Sequence, residues 1–207
     1  VEAFERVASR FVWDRKNRRY VSASAAGEQL SEFAAQLAKA PVVQRYDTGV
    51  MARMLVEVAR ADGQVEPEEE ELLASFLPAE LGSVEALAKR PPLSEVELSE
   101  CGSGPARETM LMMAWALALT DESLAPQEAR RLERYARGLG LAQERAEALQ
   151  RAARLFLFEQ ALDAAYPDGE RDESAHEDAL ALAGRIGLTA EEAERADIRY
   201  RKRQGLI

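Results

Sequence analysis

Four carboxylates form two pairs with the same spacing: Asp62 with Glu69, and Asp121 with Glu128. In each pair the Asp closes one apolar run at helical spacing, and the Glu follows seven residues later in the opening turn of the next. Seven residues around a turn can bring two carboxylates together, and two such units related by a pseudo-twofold can gather all four. Carboxylates at close range repel unless a cation sits among them or some take up a proton. Oxygen-only ligands suit a hard divalent cation, calcium or magnesium. The same residues have a second reading that needs no ion. A Glu at the third position of a helix closes a capping box or complements the helix dipole, and an Asp stabilises a turn. Both readings stand at this stage.

Other chemistry is sparse. The run Asp62-Gly63-x-Val65-x-x-x-Glu69 matches positions five, six, eight and twelve of an EF-hand loop. Val58 and Arg60 then occupy positions one and three, where that loop needs oxygen ligands, so a complete EF-hand is excluded. The sole histidine, His176, falls in the first turn of a helix expected to be exposed and reads as a surface residue. No P-loop, dinucleotide fingerprint, zinc-ligand spacing or nucleophile elbow occurs. No catalytic residue is assigned, and a non-enzymatic function is expected. Lone Cys101 cannot form an intramolecular disulfide and suits a reducing compartment.

The elements that must position these carboxylates read as helices. Val50, Met51, Met54, Leu55 and Val58 recur on one face of a helix that stops at Asp62-Gly63. Pro67 opens the next, with Leu72, Leu73, Phe76 and Leu77 inward. Residues 79–104 read as a connection with one or two short helical turns. From Pro105 to about Thr120 the pattern is apolar all round, as in a surrounded central helix. Pro126 opens a helix with Leu132, Tyr135, Ala136 and Leu139 inward. A long helix is expected from Gln143 to Ala165, then two more over 172–186 and 190–203. At the other end, Phe11–Asp14 and the run from Arg18 read as a small hairpin, followed by a helix over 25–39.

The carboxylate pairs belong to a longer repeat. Met54, Leu55, Val58, Asp62, Val65, Pro67, Glu69 and Leu73 match Met113, Ala114, Leu117, Asp121, Leu124, Pro126, Glu128 and Leu132 at a constant offset of 59. A third, degenerate copy follows at an offset of 47, with Asp168-Gly169 at the turn and Ala175 in place of the Glu. Such units bury their apolar faces only against one another.

The stretch from Val56 through Ala61-Asp62-Gly63 to Glu69 resembles the first signature of the tellurite-resistance TerB family. Ala116 to Asp121, Glu128 and Gly140-Leu141 resemble the second. The resemblance covers roughly residues 45–150. Glu122 departs from it, standing where the family has Gly after the second Asp. The resemblance implies a compact all-helical domain in a bacterial cytoplasmic stress-response system. It also implies an acidic divalent-metal site, at Asp62, Glu69, Asp121 and Glu128 by position.

The expected organisation is a 1–44 segment, a 45–150 TerB-like domain and a 151–207 helical extension. The formal net charge of −10 argues against nucleic acid as main partner. The charge is uneven, with ten Glu and Asp62 against Lys89 and Arg90 over residues 62–100, and basic ends. The longest apolar run, Met110 to Leu119, is about half a membrane span. The resemblance implies a cytoplasmic module with protein partners and no membrane span in this chain. A metal-free helical adaptor and a metal-dependent hydrolase are the alternatives.

Overall fold

The stripe Val50, Met51, Met54, Leu55 and Val58 places five apolar side chains on one side of a helix, and all five are buried. They lie on Arg45–Ala59 in a computed structural model of the chain. The structure describes residues 11–14, 16–17, 19–22, 32–60, 73–74, 77–102, 104–121, 124 and 126–207. Within them, two short strands pair antiparallel: β1 (Phe11–Asp14) and β2 (Arg19–Ser22), with Phe11 opposite Ser22. The rest of the regular structure is helical. In chain order the helices are α1 (Glu32–Lys39), α2 (Arg45–Ala59), α3 (Val84–Ala88), α4 (Glu95–Ser99) and α5 (Pro105–Ala118). They continue with α6 (Pro126–Gly138), α7 (Gln143–Ala165), α8 (Glu173–Arg185) and α9 (Ala190–Arg203). Turns of 3-10 helix follow α5 and α7 at Leu119–Asp121 and Pro167–Gly169.

Helix α5 sits at the centre, as its all-round apolar pattern requires. Every residue from Thr109 to Ala118 is buried. It packs against α2 on one side and α7 on another, and α7 in turn carries α8 and α9. Phe33 of α1 stacks on Phe156 of α7 with ring centroids 4.3 Å apart. Thr109, fully buried, donates to the Ala40 carbonyl at 2.7 Å and so ties the end of α1 to the central helix. Helix α7 runs unbroken across residues 150 and 151, where the TerB-like stretch and the C-terminal extension were divided. No helix among the described residues is long and apolar enough to cross a membrane.

The 79–104 connection does more than link. Ser83 caps α3 by accepting from the Ala86 amide, and Ser94 with Glu97 forms a full capping box on α4. Leu87, Leu93 and Leu98 from this stretch enter the core. Glu97 also pairs with Arg53 of α2 at 2.5 Å. The Ser94 amide and then Arg53 hold its carboxyl down at about 2. Because that value lies below the unfolded one, the stabilisation is complete above the ordinary Glu range and is lost as pH falls toward about 2. Glu97→Gln should therefore lower the urea midpoint at neutral pH, with the gap narrowing below the ordinary Glu range and closing only as pH falls to about 2. A gap that stays constant with pH would show that the carboxylate charge is not the source.

Gly138 explains how closely α4 meets α6. A Cβ built there would lie 2.5 Å from Leu98 Cδ1 and 2.8 Å from Leu98 Cβ. Gly138→Ala should lower stability by about 1–3 kcal/mol through overpacking, despite the better helix propensity of Ala. A urea titration giving equal or greater stability would contradict this approach of the two helices.

Helices α6 and α8 end alike, 47 residues apart. Gly140 and Gly187 take positive φ of 67° and 81° just beyond them. The Leu141 amide bonds the Ala136 carbonyl, and the Leu188 amide bonds that of Ala183, at 3.0 and 2.8 Å. Both are six-to-one closures of a Schellman motif. The helices that follow, α7 and α9, start at the same offset. The acidic turn of the first unit and the helix start that follows it, 61–72, lie outside the described residues.

Candidate functional site

Asp121 closes the 3-10 turn that continues α5, where Thr120 donates its hydroxyl to the Leu117 carbonyl at 2.6 Å. Glu128 follows as the third residue of α6, and it is only 4% exposed. A carboxylate so deeply buried is uncommon, and the N-terminal end of a helix is the place that favours its charge. Asp62 and Glu69 lie outside the described residues, as does the side chain of Asp121. Among the described residues, no three His, Cys, Asp or Glu side chains gather in a way that could hold a metal ion.

The helix leading into the first acidic turn is nevertheless held firmly to the helix that Glu128 opens. Glu57 of α2, five residues before Asp62, accepts a hydrogen bond from the Tyr135 hydroxyl at 2.7 Å. Its other oxygen accepts from the Leu93 amide, also at 2.7 Å. Arg131 donates to the Glu57 carbonyl, and Arg134 lies 3.8 Å from its carboxylate. Tyr135 is fully buried; that burial, and then the Glu57 charge, push its hydroxyl well above the usual phenol range. One partly buried carboxylate thus joins α2, α6 and the loop before α4. Sequence reading passed over Glu57 because its role lies in residues far along the chain.

A second polar cluster joins α7, α8 and α9, and it corrects the expectation for His176. That residue is 5% exposed, not a surface residue. It shares the inward face of α8 with Ala179 and Ala183, at helical spacing that was open to reading in the sequence. Its Nε2 is 3.7 Å from Asp197 Oδ2, and its ring meets Tyr166 edge-on at 5.9 Å. Neither ring nitrogen has a hydrogen-bond partner among the described residues. Asp197, itself buried, accepts from the Tyr166 hydroxyl at 2.9 Å. Arg201 Nε approaches it at 3.2 Å, an ion-pair distance without the alignment of a hydrogen bond. Tyr200 reaches Asp163 at 2.8 Å. A closed cluster of this kind holds α7, α8 and α9 together.

Burial, first of all, pushes the Cys101 thiol up to about 11, so it stays protonated and poorly nucleophilic at neutral pH. Of the clefts, a groove of about 510 Å³ lies between α6 and the first half of α7, over Trp115 of α5. No protein-family model, curated protein or solved structure matches the chain.

Proposed function

We propose that the protein is a non-enzymatic, TerB-like stress-response module of the cytoplasm. In this reading it binds a divalent cation, calcium or magnesium, through Asp62, Glu69, Asp121 and Glu128, and signals to protein partners. The clamp on Glu57 carries the reading. Tyr135 and Arg131 of α6 fasten the helix that enters the first acidic turn, and Glu128 opens that same α6. The helix that precedes Asp62 in the chain is thereby joined to the helix that follows Asp121, which is what a site shared between the two carboxylate pairs would need. Buried Glu128 supplies an oxygen donor of the class that a hard divalent cation takes. The pseudo-repeat belongs to the same reading, because related units each contribute one half-site.

Calorimetric titration with calcium and magnesium tests it on wild type, on Asp62→Ala with Glu69→Ala, and on Glu128→Gln. Saturable heat is expected in wild type and is lost in the double variant, while Glu128→Gln weakens affinity by about tenfold or more. Absence of heat from wild type would remove the cation and leave a metal-free helical adaptor.

A further inference from the structure

We propose that the groove between α6 and α7 binds a positively charged aromatic group, independently of any cation at the acidic turns. Its volume of about 510 Å³ falls within the range of small-ligand sites. The floor is apolar, with Leu132 and the indole of Trp115. Glu133 lines it from α6 and Glu147 from α7, with the Gln150 amide beside them. Arg137 offsets one of the two carboxylates, which leaves a net negative lining.

The chain itself shows what shape the groove lacks. Helices α6 and α8 share their bounds, their closing glycine and their cap bonds at an offset of 47. At that offset Ala129 corresponds to His176, and Gln150 to Asp197. Between α8 and α9 the buried imidazole of His176 takes up the space, with the Asp197 carboxylate 3.7 Å beyond it. Between α6 and α7 a methyl group and an amide stand in those places, and the groove is open. The missing volume is that of a ring with a polar outer edge. An aromatic ring packs on the apolar floor, and a cationic substituent meets Glu133 and Glu147 and gains from the nearby indole. A free aromatic amine and an aromatic side chain flanked by Lys in a partner peptide share this chemistry.

Amide chemical-shift titrations of the full chain distinguish the sources, with benzylamine and an acetylated, amidated Lys-Phe-Lys peptide as probes. Benzyl alcohol and butylamine are the controls for charge and ring. Saturable shifts around Ala129 and Leu132 are expected with both probes and much weaker ones with the controls. Tighter binding of the peptide identifies a protein source, and tighter binding of benzylamine a small amine. Ala129→Phe fills the groove and should abolish the shifts. Glu133→Gln with Glu147→Gln, a surface change that keeps the fold testable, should weaken binding by about five- to tenfold. The proposal is overturned if neither probe saturates, if the controls bind as well, or if folded Ala129→Phe binds unchanged.

Discussion

Arg107→Ala is expected to lower the stability of the protein by about 3–4 kcal/mol, more than its partly exposed position would suggest. The guanidinium of Arg107 gathers four backbone carbonyls. Its Nε donates to Gly102 at 2.8 Å, and one terminal nitrogen donates to Leu139 at 2.7 Å. The other reaches Ser99 at 2.8 Å and Cys101 at 2.5 Å. Ser99 ends α4, and Leu139 stands just past the end of α6. These acceptors therefore include carbonyls at helix C-termini, where a cation is favoured by the dipole as well as by the bonds. Truncation leaves them short of partners, and part-buried acceptors without partners cost more than the bonds contribute net. Lys carries the charge but not the planar fork, and cannot reach carbonyls in four directions. Arg107→Lys should therefore recover less than half of the loss. Urea titrations of the three proteins decide this, and full recovery by Lys would show that charge alone matters.

How much of this was legible depended on how local each cause was. Helix α5 declared itself through a run apolar on every side, and α7 through a long stripe ending at Ala165, because burial leaves periodicity in the sequence. Helices α3 and α4 carry only five residues each, too few for a period to show. Serine caps and the approach of Leu98 to Gly138 define them instead. Arg107 was invisible for a related reason. Its partners are main-chain carbonyls, which carry no residue type, and only the folded loop brings them together. For the candidate site, the position of Glu128 at the third residue of its helix was readable, but its burial was not. A Glu in a charged first turn looks solvated until the packing against it is known. His176 differs, since its spacing to Ala179 and Ala183 already marked the inward face of α8. The rarity of the residue drew attention from the stripe that placed it.

Asp197→Ala is expected to be as costly as the loss of Arg107, by about 3–5 kcal/mol, and to act among α7, α8 and α9. Its carboxylate is the shared acceptor of the C-terminal cluster, facing Tyr166, Arg201 and His176 at 2.9, 3.2 and 3.7 Å. Tyr166 and His176 are both under a tenth exposed, so water cannot readily replace the lost oxygens. Burial, and then the bond to Asp197, raise the Tyr166 hydroxyl above its usual range, which keeps it a donor throughout the neutral range. Tyr166→Phe removes one donor and leaves the ion pair, and should cost only about 1 kcal/mol. Asp197→Asn keeps an acceptor for Tyr166 but cancels the charge opposite Arg201, and should fall between the two. The damage should also be local. Among the described residues, helix α9 packs mainly on α7 and α8, whereas the packing of α5 on α2 and α7 lies in other elements. Native-state hydrogen exchange on Asp197→Ala should show protection lost first in α9, with α5 still protected. Uniform loss across α5 and α9 would mean instead that the C-terminal helices unfold only with the core, and that Asp197 stabilises one indivisible unit.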